Sequence, residues 1–141
     1  MNEIEGAPAP EDLSKRAARR LIQRAFVLLG RNKQVRQHLR EVHAKMQWVL
    51  ADADFEWAVL LDKGKVQFDR RPVKNPDITL TWARADVFFE SARTGRDQPG
   101  DFSMEGRQEL RRLAEMLWRA LRDELGNVLR FPIDDDGVRL A

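Results

Sequence analysis

At 141 residues, with 43% hydrophobic and 34% charged side chains and a net charge of +2, the chain has the composition of one globular domain with a full core. It has no cysteine, which excludes disulfides, thiolate metal sites and cysteine nucleophiles. No window approaches the roughly 18 uncharged apolar residues of a membrane span, and the acidic start MNEIEGAPAPED lacks the basic beginning and apolar run of a signal peptide, so a cytoplasmic protein is expected.

Residues 1–9 read as a flexible tail, and residues 10–141 as a single domain. Pro10 followed by Glu11 and Asp12 predicts a helix start, with negative charge where the helix dipole favours it. Leu13, Ala17, Leu21, Ala25 and Leu28 then recur at helical spacing, in a stripe widened by Ala18, Ile22 and Leu29. Arg16, Arg20 and Arg24 form a second stripe at every fourth residue, flanked by Lys15 and Arg19. Residues 11–40 hold nine Lys and Arg against two acidic side chains, a local charge of +7, so the positive field belongs to the N-terminal third. Gly30 is placed to end the helix. Asn32 is placed to cap a second one, in which Val35, Leu39, Val42 and Met46 continue an apolar stripe.

Four short one-sided strands follow between Ala44 and Trp82. Met46, Trp48 and Leu50 share one phase of the alternation, as do Phe55, Trp57, Val59 and Leu61 in the next segment. Val66 with Phe68, and Ile78 with Leu80 and Trp82, repeat the pattern. Asp52-Ala53-Asp54 and Asp62-Lys63-Gly64 are hairpin connections, Gly64 supplying a left-handed conformation, and Arg70–Pro76 is a longer loop. Beyond Trp82 the period lengthens: Val87, Phe88, Ser91 and Ala92 predict a short helix ending at Gly95, and Arg96–Asp101 a loop. Phe102 and Met104 alternate with Ser103 and Glu105 as a fifth strand. Leu110, Leu113, Ala114, Leu117, Leu121 and Leu125 then give a strong amphipathic helix, expected to stop at Gly126, before a short apolar run from Val128 to Ile133 and an acidic end at Asp134–Asp136.

No catalytic constellation emerges. His38 and His43, five apart, do not share the helical face that a two-histidine metal site needs. Asp52, Asp54 and Glu56 lack the glycine and closing glutamate of a calcium loop and read as a turn. Ser103 lacks the glycines of a nucleophile elbow, and no glycine-rich phosphate cradle is present. A protein without catalytic residues, cofactor or metal is expected. The basic stripe reads as a solvated face or as a dock for an anionic membrane surface. Nucleic acid is not an expected partner, because the aromatics alternate along strands instead of interleaving with the basic residues.

Phe55–Phe68 (FEWAVLLDKGKVQF), Asn75–Trp82 (NPDITLTW), Ala85–Gly95 (ADVFFESARTG) and Phe102–Gly106 (FSMEG) resemble, in order, the central hairpin, fourth strand, Thr-Gly-ended helix and last strand of the sterol carrier protein 2 family. The resemblance covers about residues 40–125. It implies an α+β domain in which helices cover one face of a five-stranded, mostly antiparallel sheet, with an apolar tunnel between the layers. It also implies soluble binding or transfer of a sterol, fatty acyl or isoprenoid chain, or alternatively a non-catalytic accessory or scaffold role, as in ubiquinone biosynthesis or protein contact. The tunnel lining would then include Trp48, Trp57, Trp82, Phe88, Phe102, Met104, Met116 and Leu117, and the membrane-facing residues would be Lys15, Arg16, Arg19, Arg20 and Arg24.

Overall fold

The computed structural model describes residues 14–96 and 102–130. The expected tail at 1–9, the helix start at Pro10 with Leu13, most of the Arg96–Asp101 loop and the acidic end at Asp134–Asp136 lie outside the described residues. Helix α1 spans Lys15–Gly30. It begins where Ser14, in extended backbone, accepts a hydrogen bond from the Ala17 N–H at 3.1 Å, as an N-cap serine does. It buries Ala18, Leu21, Ile22, Ala25 and Leu29 of the expected stripe, leaves Ala17 and Leu28 half-buried, and buries Phe26 as well.

Asn32 caps α2 (Lys33–His38), its Oδ1 accepting from the N–H groups of Gln34 at 2.9 Å and Val35 at 3.2 Å. This helix has only six residues, and the stripe does not continue helically to Met46 as expected. The Leu39 carbonyl explains the stop: it accepts from the Val42 N–H at 3.0 Å and from the Gly64 N–H at 2.9 Å, which ties the chain to a distant hairpin turn. Met46 belongs instead to the first strand.

Five strands follow: β1 (His43–Leu50), β2 (Phe55–Asp62), β3 (Lys65–Asp69), β4 (Ile78–Trp82) and β5 (Phe102–Gly106). Their spatial order is β3-β2-β1-β4-β5. The pairings β1–β2, β2–β3 and β4–β5 are antiparallel, while β1 and β4 run parallel at the centre. The strand phases meet in register: Trp48 stands opposite Trp57 on one side and Leu80 on the other, and Trp82 opposite Phe102. The β2–β3 turn has Gly64 at positive φ, 90°, as the turn sequence predicts, and Lys63 at 50° beside it.

Between β3, at one edge, and β4, beyond β1, residues 70–77 have to traverse the face opposite the helices. The Val73 N–H donates to Gln47 Oε1 at 3.0 Å there, and Gln47 and its cross-strand neighbour Ala58 are buried, although both point away from the helix layer. The second face of the sheet is therefore partly strapped, where the alternation alone predicts an open polar face.

The helix layer is completed by α3 (Ala85–Thr94), with Gly95 as its left-handed cap, and by α4 (Arg111–Arg130). Asp52 Oδ1 accepts from the Ala85 N–H at 2.8 Å, so an acidic residue of the first hairpin serves the start of α3. Helix α4 does not stop at Gly126. It runs on to Arg130 and buries Val128 and Leu129. A Cβ at Gly126 would lie 2.5 Å from the Ala92 carbonyl oxygen, so this glycine serves the close approach of α3 and α4 and does not end the helix.

Candidate functional site

The site that this architecture can offer is the layer between the sheet and the helices. Alternation aims Met46, Trp48 and Leu50, Phe55, Trp57, Val59 and Leu61, and Ile78, Leu80 and Trp82 at the helices, and all of them are buried. Phe26 of α1, Phe88 of α3 and Trp118 of α4 meet them from above. Ring centroids stand 5.4 Å apart for Trp48 and Trp82, 4.8 Å for Trp82 and Trp118, 4.9 Å for Trp82 and Phe88, and 5.4 Å for Phe26 and Trp48. Phe102 on the edge strand stacks on Trp82 at 4.7 Å. Among the described residues the only buried polar or charged residues are Gln47, on the far face, and Ser91, on α3.

Of the residues expected to line a tunnel, Trp48, Trp57, Trp82, Phe88 and Phe102 come together as one ring cluster, with Leu117 buried beside it. Met104 is half-buried on β5, opposite Leu80. Met116 is half-buried on α4, packs against the same core and also faces α2. With Asn32, Gln34, Val35, His38, Ala120, Asp123 and Glu124 it lines a cavity of about 270 Å³ between α2 and α4. Burial, reinforced by the neighbouring Asp123 charge, pushes the Glu124 carboxyl above its ordinary pKa. Sequence reasoning missed Trp118, although it stands four residues after Ala114 and seven before Leu125, on the arc of the helix that faces inward. Phe26 was missed beside Ala25 in the same way.

Two polar atoms stand out in this apolar layer. The indole Nε1 groups of Trp48 and Trp57 are buried and have no hydrogen-bond partner among the described residues. At the basic stripe, Lys15 and Arg16 are exposed, and Lys15 Nζ donates to the Asp54 carbonyl at 2.8 Å. Arg19 is half-buried and turns its guanidinium over the Phe55 ring, 5.8 Å from the centroid, while Arg20 and Arg24 are half-buried as well.

His38 and His43 are exposed. His38 Nδ1 lies 3.1 Å from the Gln34 carbonyl oxygen, and His43 Nδ1 lies 3.0 Å from Asp62 Oδ1. Among the described residues no three His, Asp or Glu side chains gather as a metal site, and no helix is long and apolar enough to cross a membrane.

No family model matches the chain, and no curated protein matches it. Solved structures do. The inverting sec-alkylsulfatase Pisa1 from Pseudomonas sp. is 18% identical with a TM-score of 0.44, over 58% of this chain; the chain spans only 13% of that enzyme's length. UbiJ-SCP2, a ubiquinone synthesis protein, is 14% identical with a TM-score of 0.47, over 71% of this chain and 87% of its own. The apo form of sterol carrier protein 2 from Yarrowia lipolytica is 17% identical with a TM-score of 0.45, over 73% and 88% respectively. All three are distant likenesses, and the architecture stands on the strand order and register given above.

Proposed function

We propose that this sterol-carrier-like α+β domain binds an apolar, lipid-like molecule between its sheet and its helices, and that it does so without catalysis of its own. The observation that carries the reading is the chemistry of the covered face: aromatic and aliphatic side chains meet there from three helices and four strands, with almost no polar group among them. A sterol, fatty acyl or isoprenoid chain needs such a dry, ring-lined site and few specific contacts. Burying about ten methylenes contributes roughly 8 kcal/mol before the losses of association, and each further methylene adds about 0.8 kcal/mol. The rings touch one another, so a ligand takes its place by displacing ring–ring contacts around Trp48, Trp57, Trp82, Phe88 and Phe102, next to Met104 and Leu117.

The same contacts favour a second reading. A face already filled by its own rings suits an accessory or scaffold domain that works by protein contact. An environment-sensitive fatty-acid probe separates the two. The expected result is saturable binding with a Kd in the micromolar range and a change in Trp emission as the ligand meets the cluster. Absence of saturable binding by any acyl or isoprenoid ligand, with the far-UV circular dichroism of the folded protein intact, overturns the carrier reading in favour of the scaffold.

A carrier has to meet a membrane, and α1 offers the positive surface. Lys15, Arg16, Arg20 and Arg24 are its effective row, Arg19 being turned over Phe55. Each basic side chain near an anionic surface contributes about 1 kcal/mol, an attraction that fades as the Debye length falls to about 3 Å at 1 M salt. Weak cosedimentation with anionic vesicles is expected, abolished by 1 M salt or by combining Arg16→Glu, Arg20→Glu and Arg24→Glu, with probe affinity unchanged. Equal sedimentation of the wild type and the triple variant would leave the stripe as a solvated face.

A further inference from the structure

We infer that the molecule bound here carries a hydrogen-bond-accepting oxygen at its buried end, and that the indole N–H groups of Trp48 and Trp57 hold that oxygen. The inference rests on the lipid-binding reading and gives it a chemical class. Both tryptophans are 0% exposed, and neither Nε1 has a hydrogen-bond partner among the described residues. Folded proteins pair the great majority of buried polar groups, so two orphans on one face call for an explanation.

The two residues are not scattered. The β1–β2 register sets them directly opposite each other, and their ring centroids lie 6.1 Å apart. Side chains at such paired positions leave the backbone about 5 Å apart on the same face, so the two donors belong to one pair of adjoining rings. What surrounds them cannot serve. Trp48 meets Phe26, Trp82 and Trp118, and Trp57 meets Phe55, Phe68 and Phe88, none of which carries an oxygen.

The sign of the missing partner is determined. An indole N–H donates and never accepts, so amines and cations cannot complete the pair, whereas a carbonyl, hydroxyl or carboxylate oxygen can. Arg19 points the same way. Its Nε is likewise buried without a hydrogen-bond partner among the described residues, its guanidinium sits over Phe55, and Phe55 is 5.3 Å from Trp57. A pure hydrocarbon leaves all three donors unpaired, while an oxygen-bearing lipid supplies the acceptor that they lack.

The test compares dodecane, 1-dodecanol and dodecanoate as competitors of the fluorescent probe, in the wild type, in Trp48→Phe, in Trp57→Phe and in the double variant. Phenylalanine keeps an aromatic ring and removes the N–H, and near-UV circular dichroism checks that each variant stays folded. The ratio of 1-dodecanol to dodecane affinity is expected to fall about tenfold in the double variant, a change of about 1.4 kcal/mol. In ¹⁵N–¹H spectra, two of the four indole resonances, identified by their loss in the single variants, should move downfield with 1-dodecanol and stay in place with dodecane.

A dodecanoate preference removed by Arg19→Gln assigns the oxygen to a carboxylate, and its absence assigns it to a neutral group. If 1-dodecanol and dodecane keep the same affinity ratio in the double variant and neither indole resonance responds, water alone satisfies the donors; the inference then fails while lipid binding stands. If none of the three competes and the probe itself does not bind, both readings fall together.

Discussion

Replacing Trp82 by alanine lowers the free energy of unfolding by about 3–5 kcal/mol. Trp82 closes β4 and stands where the sheet meets α3 and α4, touching Trp48 in the sheet, Phe88 on α3, Trp118 on α4 and Phe102 on the edge strand. Truncation removes one partner from each of these contacts. It also opens a void that backbone cannot collapse into, because β4 is held on both sides by β1 and β5. Close packing on all sides is what puts large-to-small changes at the upper end of their range. Urea denaturation followed by Trp emission and by far-UV circular dichroism measures the loss. A loss below about 1 kcal/mol is the size expected of a surface residue and would refute the register.

Gly106→Ala is expected to destabilise by about 2–5 kcal/mol, the sum of backbone strain and overpacking. At the end of β5, Gly106 adopts φ 135°, and a Cβ there would lie 2.5 Å from the Asp77 carbonyl oxygen and 2.8 Å from Ile78 Cα. Both are backbone atoms, and Asp77 has little room to move. Its carboxylate accepts from the Lys45 N–H at 2.8 Å, its own N–H donates to the Lys45 carbonyl at 2.7 Å, and its carbonyl accepts from the Arg107 N–H at 2.9 Å. Arg107 adds ion pairs to Glu109 at 2.7 Å and to Asp77 at 3.6 Å; the hydrogen bond to Glu109 is the larger cause that raises its pKa further. Gly95→Ala is the control. Gly95 also has positive φ, 70°, but nothing lies within 4 Å of its Cβ position, so only the left-handed penalty of about 1–2 kcal/mol remains. Chemical denaturation of the two variants side by side tests the account. Equal losses would mean that the approach of β5 to Asp77 is looser than the geometry requires.

These two positions also show what a linear reading of the chain can and cannot reach. Trp82 was legible because a period of two is a local property: its phase follows from Ile78 and Leu80 without knowledge of any partner. Asn32 was legible for the same reason, since a cap acts on the next three residues. Gly126 was not, because a glycine late in a helix looks alike whether it ends that helix or admits a neighbour. Only the Ala92 carbonyl distinguishes the two, and it lies 34 residues upstream (126 − 92). The parallel seam between β1 and β4 and the strap over Gln47 were hidden similarly. Alternation states which side chains share a face but not which strand lies beside which. For the site, the aromatic side chains that cluster could be picked out from the alternation, but not that Met116, packed against the core, also lines the α2–α4 cavity. The unpaired indoles could not be foreseen from residue types, because most tryptophans in that setting find an acceptor.

The parallel seam has a consequence for how the chain assembles. Strands β1 to β3 are neighbours in sequence and close as local hairpins, but the other edge of β1 waits for residues 32 positions downstream, Met46 pairing with Ile78. Pairing over such a separation is intrinsically late. Until it happens, Met46, Trp48 and Leu50 flank a row of unsatisfied backbone groups that would become the centre of the finished sheet, and such an edge templates strands from other chains. A nascent or truncated chain ending before Ile78 therefore presents its stickiest surface with nothing of its own to cover it. Synthesis of the last of the central strands is the point at which self-association gives way to folding.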